Sequence, residues 1–214
     1  MRVIAVTGSG RLTLRPDETR ITMTLTGQDA RYEEAVRRSA EDTKKLRTVL
    51  MGCGFADGDI RTVSFDIRPE YENYQEGKTY RKQLTGYTFQ HRLKVVFPVD
   101  NRRLGEILYA LGSCGLKPDF DLAYGLADEQ AAKDQLLEKA VADAGKKAQA
   151  LTKAAGVRLL EIQKIDYAWE DPDMEVRPVN RMMAMESVGA RYDMEISPDD
   201  VDISDTVTVV WEIE

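Results

Sequence analysis

Apolar residues recur at every second position over much of this chain, and that alternation is the constraint that most limits its fold. Ile4, Val6, Leu12 and Leu14 fall in one register, with Gly8 and Gly10 in the same register between them. A period of two puts all six on one face of a single long strand. The glycines then lie on the buried face, where they allow a bulge or a close approach of another backbone. Arg15-Pro16-Asp17-Glu18 reads as a turn. Ile21, Met23 and Leu25 alternate with Thr22, Thr24 and Thr26, which predicts an antiparallel return strand with one buried face. Val63, Phe65 and Ile67, then Tyr87 through Phe97, repeat the pattern. So do Phe120 to Leu126, Glu161 to Trp169, and Val201 to Ile213.

Helical periodicity breaks in three times. Asp29 to Met51 presents Val36, Ala40, Thr43, Leu46 and Leu50 as its inward set, with Glu33/Arg37, Glu34/Arg38 and Glu41/Lys45 pairs outside. Asn101 to Leu111 buries Leu104, Ile107, Leu108 and Leu111. A third helix starts at Asp128 as N-cap, carries Leu137, Val141, Ala144, Ala148, Leu151 and Ala155, and stops at Gly156. Its span is short for a coiled coil and rich in alanine, so a helix packed closely on a sheet is expected. The order is β-β-α-β-β-α-β-α-β-β. Strands rarely alternate singly with helices, which excludes a doubly wound parallel sheet. A two-layer α+β fold follows, with largely antiparallel sheets packed with three helices. At 214 residues this is one unit over 1–214, or two intertwined α+β subdomains at about 1–100 and 101–214. Leu50 to Phe55 and Leu111 to Leu116 share a Gly-x-Cys-Gly-like helix stop, a weak internal echo.

Composition narrows function mainly by exclusion. The formal net charge is −7, which is not the basic footprint of a general nucleic-acid binder. No apolar run approaches the length of a membrane span. The opening residues Met1 to Gly8 hold only a short apolar stretch, so no leader is visible and a cytoplasmic, reduced protein is expected. Cys53 and Cys114 are too few for a disulfide scaffold and are not spaced as a redox pair or zinc knuckle. Gly8-Ser9-Gly10 lacks the third glycine and the following helix of a phosphate loop.

His91, the single histidine, shares a register with Phe89 and Leu93, as a core or interface histidine would. A catalytic role would need a neighbouring nucleophile and an orienting acid. Two acidic runs, Asp166 to Glu175 and Asp193 to Asp205, lack the calcium-loop pattern and read as solvated surface. Glu170 to Ala190 has no periodicity and two prolines, and predicts a mobile loop bearing Met182, Met183 and Met185. Methionines there suit a flexible cover, an oxidation switch or a cuprous site. Glu72 to Lys82 has no aliphatic residue and turns at Glu76-Gly77-Lys78, so the third and fourth strands form a hairpin whose tip projects beyond the core. Tyr71, Tyr74 and Tyr80 make it a candidate interface. No catalytic, cofactor-binding or metal-ligating residue is assigned, and no cofactor is expected.

Several of these segments together resemble the SIMPL domain family, a bacterial and animal domain of unknown function. They are Val3-Ile4-Ala5-Val6-Thr7-Gly8-Ser9-Gly10 followed by Pro16-Asp17, and Gly54 with Asp59-Ile60-Arg61-Thr62. Leu84-Thr85-Gly86-Tyr87, the Ala-x-x-x-Ala spacing of Ala140 to Ala148, and Ile196-Ser197-Pro198 complete the set in order. Asp199 replaces the glycine usual after the Pro198 equivalent, and the export signal of many bacterial members is not visible. The resemblance implies an α+β fold with two subdomains and no established catalytic residues. It also implies association with ring-like oligomers, with resistance to oxidative stress and, in animals, with a signalling kinase. Three functions stay open. The first is a non-enzymatic oligomeric or scaffold protein, tied to stress, whose partner is a second copy or another protein. The second is a small-molecule-binding protein or hydrolase using His91 or the acidic surface. The third is a methionine-loop redox or copper module.

Overall fold

The computed structural model describes residues 2–76, 79–168, 174–177 and 196–214, without the side chains of 74–76, 79 and 80. Its elements run β1 (Arg2–Leu14), β2 (Glu18–Asp29), α1 (Tyr32–Gly52), β3 (Arg61–Glu76) and β4 (Thr79–Pro98). They continue with α2 (Asn101–Ser113), β5 (Asp119–Gly125), α3 (Glu129–Ala155), β6 (Leu159–Asp166) and β7 (Val201–Ile213). This is the α+β order read from the periodicities, with a 3₁₀ turn at Asp57–Asp59 between α1 and β3. The chain divides into two compact units. One holds residues 1–17, 124–176 and 198–214, and the other 18–123 and 177–197.

In the first unit the strand order is β1-β7-β6, with both pairs antiparallel. The β1–β7 ladder is unbroken from Arg2↔Ile213 to Leu14↔Val201. Val6, Val207, Val209 and Trp211 close on Ala140, Ala144 and Ala148 of α3. Alanine on the helix and glycine on the strand make that contact close. A Cβ at Gly8 would stand 2.1 Å from the Ala140 carbonyl oxygen, and one at Gly10 2.2 Å from that of Leu136. Asp128 caps α3 by accepting from Ala131 N–H at 2.8 Å, and Gly156 ends it at φ 69°.

In the second unit the order is β3-β4-β2-β5, with β2 and β3 antiparallel to β4. Ile21, Met23 and Leu25 of β2 and Phe89, Leu93, Val95 and Phe97 of β4 supply the sheet's half of the core. Leu46 and Leu50 of α1 with Leu104, Ile107 and Leu111 of α2 cover it. Details depart from the periodicity in both units. On α3 the buried residues are Ala132, Leu136, Ala140, Ala144, Ala148 and Thr152, while Val141, Leu151 and Ala155 of the expected set are exposed, because the small alanine stripe is the one that lies against β1. β2 runs on to Asp29, opposite Tyr87, so α1 begins at Tyr32 rather than Asp29. The inward residues of α1 are Ala35, Ser39, Leu46 and Leu50, while Val36 and Ala40 are exposed. Its apolar arc is wider than the sheet beneath it can cover, because the periodic residues form two adjacent stripes and only one lies over β2 and β4.

Candidate functional site

The β3–β4 hairpin outgrows its sheet. β2 accompanies β4 only as far as the Asp29↔Tyr87 pair, whereas β3 and β4 remain paired to Glu76↔Thr79. From Glu70 outward the two strands form a ribbon with no third strand among the described residues, about 20 Å long at the usual rise per residue. Its departure point is built by two features. Gly86 passes against the end of β2, where a Cβ would meet the Asp29 carbonyl oxygen at 2.6 Å. The register also shifts between Glu70↔Gly86 and Tyr71↔Leu84, leaving Thr85 as an extra residue whose hydroxyl donates to Glu70 O at 3.1 Å. A bulge of this kind bends and twists the ribbon away from the sheet. Beyond it Tyr71 (56% exposed) and Leu84 (44%) stand directly opposite each other, an apolar pair in water. Tyr71 is therefore placed on the arm. Tyr74 and Tyr80 pair within it on the backbone, opposite Arg81 and Gln75, and their side chains lie outside the described set.

His91 sits on β4 on the α1 side of the sheet. Thr43 Oγ1 lies 2.8 Å from its Nδ1 and Thr62 Oγ1 3.1 Å from its Nε2, so both ring nitrogens are engaged by hydroxyls. Burial, and then the Arg47 guanidinium, push its pKa down and keep the ring neutral. Phe65 stacks edge-on to the ring with centroids 5.1 Å apart. Its partners are two threonines and a phenylalanine, with no carboxylate or thiol hydrogen-bonded to it among the described residues. A general base with an orienting acid is not assembled there.

The remaining candidates are dispersed. Cys53 and Cys114 are both free and close helices α1 and α2; burial, then Glu106, raises the Cys53 thiol pKa, the direction of an unreactive thiol. Their helix stops use left-handed glycines, Gly54 (φ 84°) and Gly115 (φ 75°), and both lie in the second unit. Within the later acidic run, Asp202 accepts from Thr13 Oγ1 at 2.6 Å and Asp205 from the Tyr167 hydroxyl at 2.7 Å. Burial and Asp205 push the Tyr167 phenol up to about 12. No group of three metal-ligating side chains gathers among the described residues. Met182, Met183 and Met185 lie outside those residues, but the start of the same segment is packed. Met174 is 3% exposed beside Leu12, Leu136 and Val201, and Val176 exchanges two backbone hydrogen bonds with Tyr124. The missing apolar period had hidden these anchors, because a single bridge has no period.

The profile described as SIMPL, protein of unknown function (DUF541), matches residues 4–211. The chain is 32% identical over 168 residues to the 26 kDa periplasmic immunogenic protein of Brucella abortus (strain S19). It is 31% identical over the same length to the protein of that name from Brucella melitensis biotype 1. Each alignment covers 76% of this chain and 66% of the relative, so the chain spans just under two thirds of the curated relatives it matches. The periplasmic location in their names overturns the expectation of a cytoplasmic protein. That expectation rested on the apolar content of Met1 to Gly8, which describes those residues and not the compartment. No described helix is long and apolar enough to cross a membrane.

Proposed function

The chain belongs to the SIMPL family, and we propose that it is an exported, non-enzymatic assembly protein whose subunits join through the β3–β4 ribbon. The observation that carries this reading is the ribbon beyond Glu70, which has no third strand among the described residues and exposes the facing pair Tyr71 and Leu84. A two-stranded ribbon is marginal in water by itself. Burying an aromatic or leucine side chain contributes about 1.5–3 kcal/mol, so a partner surface would stabilise what the ribbon's own sheet does not. Tyr71, Tyr74 and Tyr80 are the contact residues of this reading, and a second copy of the chain is the partner. The periplasmic name of the Brucella relatives supports placing the assembly outside the cytoplasm. A protective role under oxidative stress rests on the family resemblance, and peroxide survival of cells lacking the protein tests it.

Light scattering on purified protein tests the interface. At about tens of micromolar, a working range for modest affinities, the wild type should scatter as an oligomer. Replacing Tyr71 and Leu84, or Tyr74 and Tyr80, with serine should lower the mass without changing the circular dichroism. A monomeric wild type, or variants that assemble unchanged, would overturn the assignment.

A further inference from the structure

The second apolar stripe of α1 has no cover among the described residues. β3 is the edge strand of its sheet, and Phe65 on it stays 49% exposed beside Val36 and Ala40 of the helix. Between them runs a groove of about 420 Å³ with Thr43 and His91 along its wall. That volume lies in the range of small-molecule sites, which are mostly apolar with a few placed polar groups.

Three further observations say what such a molecule would be. Ser39 lines the groove at 1% exposure, and its Oγ has no hydrogen-bond partner. A buried hydroxyl without a partner costs free energy that a ligand's polar atom recovers. Lys44 and Arg47 stand at the groove, and no acidic side chain lines it among the described residues. Arg47 is ion-paired to Asp57 and donates to the Ile60 carbonyl oxygen, so its charge is offset and Lys44 is the cation that bears on the groove. On a chain of net charge −7, Lys44 is thus a local positive charge beside an apolar bed. His91 adds a flat neutral wall, held by Thr43 and Thr62, rather than charge.

We propose that this groove binds a small anionic amphiphile, a monocarboxylate with an alkyl or aryl tail. Lys44 attracts the carboxylate, the Ser39 hydroxyl donates to it, and the tail lies on Val36, Ala40 and Phe65. The site is separate from the ribbon and does not require assembly.

Sodium decanoate, below its micelle-forming concentration, is the probe. Binding is read by calorimetry and by the imidazole resonance of His91, the only histidine. The wild type should show a saturable shift. Lys44→Glu should weaken binding about fivefold, the upper range for an exposed charge pair. Ser39→Ala should weaken it by a similar factor, about that of one hydrogen bond. Ala40→Trp, on the exposed stripe, should fill the groove and abolish binding while leaving the helical dichroism unchanged. Decyltrimethylammonium, with the same tail and opposite charge, should not bind. Equal binding of that cation, an Ala40→Trp variant that binds normally, or no saturable shift in the wild type would overturn the proposal. So would a Val36→Ser/Phe65→Ser variant that lowers the assembly mass while decanoate leaves the wild type unaffected, because a second copy would then be the occupant. Ribbon variants that alter mass but not decanoate affinity separate this site from the assembly interface.

Discussion

Alanine at position 8 would drive its Cβ to 2.1 Å from a backbone oxygen of α3 and 2.7 Å from the Cβ of Ala144. Neither neighbour is the movable end of a side chain, so helix and strand must part. Gly8→Ala should therefore destabilise by about 3 kcal/mol, the upper end for overpacking. Gly145, on the same helix, has open space around it. Gly145→Ala should stabilise by about 0.5–1 kcal/mol through helix propensity. Urea unfolding of the pair checks both signs; equal midpoints would contradict the close contact. His91 gives a second residue-level test. Burial and Arg47 disfavour its charged form in the fold, so its contribution to stability is present above about pH 6.5 and is lost as the pH falls below that value. Its imidazole resonance should titrate with a midpoint below 6.5, and a midpoint above it would refute this environment. Both residues were legible in part. The register of Gly8 with Ile4 and Val6 put it on the buried face, but the identity of its neighbour, α3, came only from the fold. His91 was rightly set on the apolar side of β4, yet nothing local reveals that α1 stops short of Phe65.

Between elements, the free edge of β1 is satisfied by a helix rather than by a strand. Lys147 Nζ donates to Thr7 O at 3.2 Å, Ser9 N–H donates to Asp143 Oδ2 at 2.8 Å, and Lys139 Nζ donates to Arg11 O at 3.3 Å. Four helical residues rise about 6 Å and two strand residues about 6.6–6.8 Å, so the two spacings stay nearly in step over this length. A covered edge resists pairing with foreign strands. Asp143→Ala should leave the Ser9 amide without its acceptor and raise its hydrogen-exchange rate several-fold, while amides inside the β1–β7 ladder keep theirs. Unchanged exchange at Ser9 would show that the carboxylate does not cap the edge. Lys147, and then the Ser9 amide, hold the Asp143 carboxyl below the usual range. The cap is therefore intact above the ordinary carboxylate value of about 3.9 and is lost as the pH falls through the depressed one. Element type was readable from period and caps throughout, including Asp128 and Gly156. Side-chain ladders such as 139-143-147 were not, because they join residues over a hundred positions apart. The phase of α1 was misread for a related reason: Val36 and Ala40 fit the helical period as well as Ala35 and Ser39 do, and only the sheet's width decides between them.

At the scale of the whole molecule, the chain supplies two compact units of helix packed on antiparallel sheet and a bulge-directed arm. The length of the arm was legible, since Glu72 to Lys82 offers no aliphatic residue to a core. Its origin was not, because the Thr85 bulge and the end of β2 at Asp29 are properties of pairing. Sedimentation velocity on a shortened arm addresses the assembly reading most directly. In that variant Glu70 is joined to Gly86 through Asn-Gly, a favoured two-residue hairpin turn, so Glu70 and Gly86 stay opposite each other and the sheet below them keeps its register. The wild type should sediment as an oligomer and the shortened protein as a folded monomer. If both sediment alike, whether as monomers or as the same oligomer, the arm does not join the subunits.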